Sequence, residues 1–193
     1  FDSGILLNRG STFEWRPLPR EAQWSPVFSV NVADFDGDGA EDLFLSQNRS
    51  DLLPELSRDD SGRGLCLRGR GDGTFVAMAG EDSGIDIPGE QRSAAVGDFN
   101  HDGRTDLAVT SINGPTRLLA NRRGRPGLRV VINGPPANPD AIGAQLRVRF
   151  RDGTMGPARA IQAVSAFGGC DSASPVLGLP RPAAAVWVRW PGG

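Results

Sequence analysis

The segment Asp34-Phe-Asp-Gly-Asp-Gly-Ala-Glu-Asp42 is the strongest indication of the fold, because it recurs 64 residues later as Asp98-Phe-Asn-His-Asp-Gly-Arg-Thr-Asp106. Similar residues flank both copies: Asn31-Val-Ala33 precedes the first, Ala95-Val-Gly97 precedes the second, and leucine follows each. A duplicated segment of this kind is the signature of a repeat architecture.

The repeat extends beyond the acidic segment. Two further landmarks, Thr12-Phe13 and Thr74-Phe75, are 62 residues apart, and the similar lead-ins Ile5–Gly10 and Gly64–Gly69 precede them. A third lead-in, Arg117–Asn121, starts another unit that stops near Gly124, where the composition changes. We therefore predict a repeat region over residues 1–124 and a different domain over residues 125–193.

Each repeat unit contains short strand signals. Val30 and Val32 alternate with polar residues before the first acidic loop, Leu43-Phe-Leu45 follows it, and the second copy has the same order. Apolar alternation on both sides of a turn predicts a β-hairpin. Four short strands in a period near 60 residues fit a propeller blade. Because propellers close with roughly 4–8 blades, about two units predict a piece of a longer protein or a ring that partner chains complete.

The acidic loops place oxygen atoms on alternate residues around a tight turn, with Gly39 or Gly103 at the sixth position. This pattern suits a hard cation, and Ca²⁺ accepts it more readily than Mg²⁺, which prefers a smaller octahedron with more water. The candidate ligands are Asp34, Asp36, Asp38, the carbonyl of Ala40 and Asp42 in the first loop, and Asp98, Asn100, Asp102, the carbonyl of Arg104 and Asp106 in the second.

Two alternatives to a strand-flanked calcium loop can be weighed from the residues. The EF-hand pattern requires a glutamate at position 12 and flanking helices, and neither is present. Asp-Gly sequences also form ordinary turns. Two copies in register favour cation binding, because clustered carboxylates without a cation repel one another or acquire raised pKa values.

The two loops and their strands resemble the FG-GAP or VCBS-type repeats of calcium-binding β-propellers. The resemblance covers residues 1–124 and implies one structural Ca²⁺ per blade, held by the ten residues given above. Residues 125–193 resemble the ASPIC/UnbV domain that commonly follows such repeats, through Asp140-Ala-Ile-Gly-Ala144 and Val188-Arg-Trp-Pro-Gly192. No catalytic function comes with this second resemblance.

The repeat region and the C-terminal region differ in net charge. The 193 residues have a net charge of −2 with 21 basic side chains, all arginine. Residues 1–124 are acidic and residues 125–193 are basic, so we expect the regions to have different roles. The alternation in Leu146-Arg-Val-Arg-Phe150 predicts a half-exposed strand in a small antiparallel, β-sandwich-like domain with its arginines on one solvated face. The absence of lysine excludes Schiff-base and P-loop chemistry.

Several isolated signals have a structural and a functional interpretation. Arg70-Gly-Asp72 is an adhesion tripeptide, but it coincides with the turn of the repeat. Cys170 as a nucleophile would need a base, and the single histidine, His101, lies in the second loop. Cys66 and Cys170 could form a disulfide or remain free thiols. The arginines of 147–151 form a solvated face, meet the acidic repeats, or contact nucleic acid or anionic sugars. The tryptophans, most simply core or strand-packing residues, could serve as a sugar platform only if exposed; they are Trp15, Trp24, Trp187 and Trp190.

We interpret the sequence as an all-β, non-enzymatic, calcium-stabilised binding or scaffold module that is secreted, periplasmic or at the cell surface. It would have two structural Ca²⁺ sites, no catalytic residues, and a protein partner or surface assembly, without nucleic acid and without a transmembrane segment of its own. The alternative is a lectin or a non-catalytic part of a polysaccharide-active enzyme. Metal-assisted hydrolysis ranks last, because it needs an open coordination position and a base.

Overall fold

The computed structural model describes residues 2–49, 59–165 and 168–192. The described part is all-β with little helix, as the sequence predicts, and none of its antiparallel sheets is closed. No helix in these residues has the length and apolarity to cross a bilayer. In chain order the strands are β1 Gly4–Asn8, β2 Phe13–Pro17, β3 Val27–Ala33, β4 Asp42–Gln47, β5 Leu65–Gly69, β6 Phe75–Ala77, β7 Gln91–Gly97, β8 Asp106–Ser111, β9 Arg117–Leu119, β10 Leu128–Arg129, β11 Gln145–Phe150, β12 Arg159–Ala160, β13 Val176–Leu177 and β14 Ala183–Arg189.

The first nine strands, called here the N-terminal sheets, form a hairpin β1-β2, a four-stranded sheet β3-β4-β5-β6 and a three-stranded sheet β7-β8-β9. Short helical turns are present at Arg20–Gln23 and Gly80–Ser83. Each acidic loop joins two antiparallel strands, β3 to β4 and β7 to β8, so both predicted hairpins are confirmed. The structure shifts the unit boundary, because each acidic hairpin shares a sheet with the lead-in that follows it in sequence.

The central strand β4 is buried along its whole length. Leu43 and Leu45 pack towards β1 and the turn at Ala22. Phe44 points the other way, into a core shared with Val96 and Val109 of the next sheet. Because successive side chains of a strand alternate between faces, both faces of this sheet are covered by neighbouring sheets.

The last five strands, called here the C-terminal sheets, form β10-β13 and β12-β11-β14. Leu146, Val148 and Phe150 alternate inward from β11 and meet Ile161 and Leu177 in a separate core. Arg149 is exposed and Arg147 is partly buried. The predicted half-exposed strand in an antiparallel sheet is therefore confirmed.

The isolated sequence signals can now be placed. The thiols of Cys66 and Cys170 are both free, the first buried and the second exposed, so the possible disulfide is not formed. Burial raises the pKa of Cys66 to about 12, with Asp42 adding to the shift. Of the two predicted roles for the tryptophans, the core placement is wrong: Trp15, Trp24, Trp187 and Trp190 are 44–58% exposed. Trp15 and Trp187 do lie in strands, β2 and β14.

The adhesion-type tripeptide Arg70–Asp72 forms the turn between β5 and β6. Its aspartate accepts hydrogen bonds from the amide (2.8 Å) and the hydroxyl (2.6 Å) of Thr74. The Arg70 amide donates to the Thr74 carbonyl at 3.0 Å. These bonds close a hairpin turn, which gives the three residues a structural role.

Candidate metal centre

The first acidic loop is built around Asp34, which lies at the end of β3. Its Oδ1 accepts hydrogen bonds from the amides of Gly37 at 2.7 Å and Asp38 at 3.1 Å, and its Oδ2 accepts one from Gly39 at 2.8 Å. Asp36 accepts from the Asp38 amide at 3.0 Å. The loop is therefore wound by carboxylates that bind the backbone a few residues ahead, which is the local chemistry that favours aspartate in turns.

The second loop repeats this pattern at matching positions. Asp98 Oδ1 accepts from the Asp102 amide and Oδ2 from the Gly103 amide, both at 3.0 Å. Asn100 Oδ1 accepts from the Asp102 amide, as Asp36 does from Asp38. One difference lies in the backbone: the position of Gly37 (φ +75°) is taken by His101 (φ +62°), a left-handed conformation that glycine adopts most easily.

The closing aspartates tie each loop to the third strand of its sheet. Asp42 Oδ2 accepts from the Phe35 amide at 2.9 Å, and Oδ1 accepts from the Gly69 amide at 2.8 Å. Asp106 does the same with the amides of Phe99 (3.0 Å) and Asn121 (2.8 Å). Gly69 and Asn121 were not recognised from sequence as part of the site, although both end repeated lead-ins. Their recurrence at the ends of the lead-ins is the sequence signal that could have identified them.

Three carboxylates converge in the first loop. One oxygen each of Asp34, Asp36 and Asp42 lies within 4.8 Å of the others. Asp38 is not part of this cluster; its Oδ1 accepts a hydrogen bond from the Ala40 amide at 2.8 Å. Elsewhere in the described ranges no comparable group of three acidic or metal-binding side chains occurs. The second loop has an amide, Asn100, where the first has a carboxylate.

Arginines lie beside both loops. Arg68 of β5 contacts Asp36 (Nε to Oδ2, 2.6 Å) and Asp38 (3.1 Å). In the second loop Arg104 contacts Asp102 at 3.2 Å from within the loop itself. These exposed or partly exposed pairs contribute little stability, but they place a positive charge where a cation would otherwise balance the carboxylates. The sequence did not predict the role of Arg68.

Burial changes the acidity of the first loop. Desolvation raises the pKa of Asp34 to about 6 and that of Asp42 to about 7, against backbone hydrogen bonds that lower both values, and neighbouring carboxylates add to the rise. In the second loop the pKa of Asp102 is lowered: slight desolvation is outweighed by hydrogen bonds from Arg104 and Asn100. The donor set of carboxylate and carbonyl oxygens fits Ca²⁺, and a bound cation would relieve the cost of the buried charges.

The C-terminal sheets pack directly on the first loop. A Cβ added to Gly178 would lie 1.7 Å from Asp34 Oδ2, and one added to Gly39 would lie 2.5 Å from the Pro180 ring. Above the second loop the contact is looser, since a Cβ on Gly103 would lie 3.4 Å from the Gly127 carbonyl. The first loop is thus enclosed by residues distant in sequence.

Polar contacts hold the two sets of sheets together. Arg159 of β12 bonds both the Glu41 carboxylate and the Val32 carbonyl. Burial raises the pKa of Glu41, and Arg159 opposes this rise. Asp171 Oδ1 accepts from the side-chain amide of Asn31 (3.0 Å) and from the Val96 amide (2.8 Å).

The isolated thiol has no base beside it among the described residues. Cys170 Sγ contacts the carbonyl oxygens of Gln162 and Asp171. His101 is exposed in the second acidic loop. These contacts supply no base to activate the thiol.

Comparison with known families identifies one repeat type. The model of the FG-GAP repeat matches residues 91–116. This range contains β7, the second acidic loop and β8. An FG-GAP repeat is therefore present at the second hairpin, and the first hairpin reproduces its hydrogen-bond pattern.

Among curated proteins the chain is similar to Cartilage acidic protein 1. The human protein is 39% identical over 75 residues, which is 38% of this chain and 11% of that protein. The protein of Mus musculus is 36% identical over 75 residues, with the same coverage of 38% and 11%. The protein of Xenopus tropicalis is 36% identical over 61 residues, which is 32% of this chain and 9% of the relative. The chain thus spans about a tenth of the length of these relatives.

Proposed function

We propose that this chain is a calcium-stabilised, non-enzymatic binding or scaffold module that acts outside the cytoplasm. The observation that carries the proposal is the convergence of Asp34, Asp36 and Asp42 within 4.8 Å, in a loop whose hydrogen bonds recur at the second hairpin. The same acceptor positions in both loops indicate that the two loops have the same function.

The proposed ligands of each Ca²⁺ are side-chain oxygens and one backbone carbonyl. They are Asp34, Asp36, Asp38, the Ala40 carbonyl and Asp42 in the first site, and Asp98, Asn100, Asp102, the Arg104 carbonyl and Asp106 in the second. The cation would neutralise the carboxylates and keep each hairpin bend rigid. Rigid bends hold the neighbouring loops in a fixed arrangement for recognition of a partner.

We further propose that residues 1–124 form an incomplete β-propeller of about two FG-GAP/VCBS blades and that residues 125–193 form an ASPIC/UnbV-like domain. The four-stranded antiparallel sheet β3–β6 supports the blade assignment, as does the packing of β3 beside β7. The separate core of the C-terminal sheets supports the second domain.

Several observations favour a location outside the cytoplasm and a role in binding. An FG-GAP repeat is present, and the relatives carry a name that refers to cartilage. A protein partner or surface assembly is the preferred ligand. Because the tryptophans are exposed, a glycan is the alternative ligand.

A thermal melt in calcium and in chelator tests the calcium sites. Ligand at a hundred times its Kd stabilises the folded state by about 2.7 kcal/mol, so Ca²⁺ should raise Tm by several degrees over EGTA. Asp34→Asn should lower Tm more in calcium than in EGTA. Asp86→Asn is the matched control, because this exposed aspartate lies outside both loops and pairs with Arg63, and its effect should be the same in both buffers. An unchanged Tm on adding calcium, or equal losses for Asp34→Asn in both buffers, would refute calcium binding.

A further inference from the structure

The outward side of the β11–β14 sheet carries a cluster of arginines around one tryptophan. In the register of these strands Arg147 lies opposite Trp187, Arg149 opposite Ala185, and Gln145 opposite Arg189. Leu146, Val148 and Phe150, which alternate with these β11 positions, face the core. We call Arg147, Arg149, Trp187 and Arg189 the basic face.

The charge of this face is not balanced within the described structure. Strands β11 and β14 contain no acidic residue. Arg149 and Arg189 are exposed and form no salt bridge with any residue that the structure describes. Arg147 donates from Nε to the Gly156 carbonyl at 2.9 Å, which fixes the side chain without neutralising it. The face therefore has two exposed arginines, Arg149 and Arg189, whose charges are paired with no residue that the structure describes.

The acidic N-terminal sheets form no ion pair with Arg149 or Arg189 among the described residues. From these three strands Arg159 of β12 bonds Glu41, and Arg147 lines a cavity that it shares with Asp38 and Glu41. Arg159 lies opposite the core residue Leu146 in the β11–β12 register, and so belongs to the inward side of the sheet. The inward side of this sheet contacts the N-terminal sheets. Arg149 and Arg189 on the outward side are available to bind an external ligand.

Trp187 restricts the classes of ligand that this face can bind. Trp187 is 44% exposed, lies opposite Arg147 and is two residues from Arg189 on the same side of the sheet. An indole ring offers an apolar face that can pack against the apolar side of a sugar ring, while guanidinium groups bind carboxylate or sulfate in bidentate geometry. Arg149 and Arg189 are offset by four residues along the strands, about 13 Å at the usual rise. This span suits a polymer segment better than a single small anion.

From this arrangement we propose that the basic face binds an acidic polysaccharide, with a sugar ring on Trp187 and its sulfate or carboxylate groups on Arg149 and Arg189. The inference gives a ligand class to the binding role proposed above and rests on that role. It does not depend on the calcium loops, so failure of the calcium melt leaves it intact. Single-stranded nucleic acid is less compatible, because the face has one aromatic ring, whereas sequence-independent strand binders stack bases on several rings.

Binding to immobilised heparin and to immobilised polygalacturonate at about 50 mM NaCl tests the proposal and separates sulfate from carboxylate recognition. The double variant Arg149→Ala/Arg189→Ala should bind about tenfold more weakly to at least one polymer. The matched control, Arg20→Ala/Arg122→Ala, removes two exposed arginines from the N-terminal sheets and should bind as the parent chain does. Equal losses in both double variants would mean that only net charge is sensed and would overturn the proposal.

The tryptophan is tested in the same experiment. Trp187→Ala should weaken binding several-fold, whereas Trp24→Ala, which removes a comparably exposed tryptophan, should not. Circular dichroism of each variant checks that the sheets are folded. As a second measurement on the parent chain, the polysaccharide should quench tryptophan fluorescence, and Trp187→Phe should abolish that quenching. No binding to either polymer, or tighter binding to single-stranded DNA than to both, would refute the assignment.

Discussion

The two acidic loops have nearly the same local structure but different surroundings. In both, the first aspartate winds the turn and the last one bonds the third strand of the sheet. The first loop lies beneath the C-terminal sheets, with Gly178 against Asp34. The second loop exposes Asn100, His101 and Asp102 to solvent.

This difference shows that the folding of the loop and the dependence of its carboxylates on a cation have different physical causes. Backbone hydrogen bonds lower the pKa of Asp34 and Asp42, and desolvation outweighs them and raises both values. The first and last aspartates are similarly buried in the two loops, but the tip of the first loop is also covered, whereas Asn100, His101 and Asp102 are exposed. We therefore expect the first site to depend on calcium more strongly than the second.

The largest effect is expected at the contact that encloses the first loop. Gly178→Ala places a methyl group 1.7 Å from Asp34 Oδ2, so either the hydrogen-bonded Asp34 carboxylate or the C-terminal sheets must move. We expect a loss of about 3 kcal/mol in the free energy of unfolding, measured by urea denaturation. Gly156→Ala is the control, because its Cβ would meet ordinary contacts at 3.6 Å. Equal stability of the two variants would show that the first loop is not tightly enclosed.

The second-largest effect is expected in the pH dependence of stability without calcium, which should come from the first loop. The folded pKa of Asp34 (about 6) and Asp42 (about 7) lies above the ordinary 3.8. Between these values the folded chain binds more protons than the unfolded chain, so its stability falls as the pH rises through 6 and 7. In EGTA we expect Tm to be about 5 °C lower at pH 8 than at pH 5.

Calcium competes with these protons and should reduce that loss. Asp42→Asn should flatten the pH profile in EGTA, whereas Asp102→Asn in the second loop, where the pKa of the aspartate is lowered, should leave most of it. A profile that Asp102→Asn flattens equally would place the titrating groups outside the first loop.

Ligand charge gives the next contrast. Asp36 and Asn100 occupy matching positions, and the number of carboxylates tunes calcium affinity. Asp36→Asn should weaken the first site about tenfold, and Asn100→Asp should strengthen the second by a similar factor. Isothermal titration calorimetry on each variant measures both constants. If exchanging these residues leaves both affinities unchanged, the third loop position is not a ligand.

The smallest expected effect concerns the backbone of the second loop. His101 has a φ of +62° where the first loop has a glycine. His101→Gly should stabilise the chain by about 0.5 kcal/mol, because glycine adopts this conformation without the steric cost of a Cβ. His101→Ala is the control, since alanine keeps the Cβ and should give no gain. A gain with alanine would point to the imidazole instead.

Much of the N-terminal fold could be predicted from sequence. Alternation in Val30–Val32 and the turn chemistry of Asp34–Asp42 are local signals, and both hairpins form where they indicate. The exposure of Trp15 in β2 and Trp187 in β14 could not be predicted. An aromatic residue in a strand packs on whichever sheet lies beside it, and the sequence does not show whether one does.

The candidate site was predicted in part for the same reason. The loop positions followed from spacing, but the separation of Asp38 from the carboxylate cluster depends on its bond to the Ala40 amide and its pairing with Arg68. Gly69 and Asn121 entered the site through strand pairing. Arg68 comes from β5, which is brought beside the loop only when the sheet forms.

The bend itself is a property of the sequence, because an aspartate oxygen reaches amide groups two to five residues ahead whatever surrounds the turn. The burial of one bend and the exposure of the other were decided by the packed molecule. Desolvation depends on Gly178 and Pro180, which follow the first loop by more than a hundred positions, and no local pattern records where such distant residues come to lie.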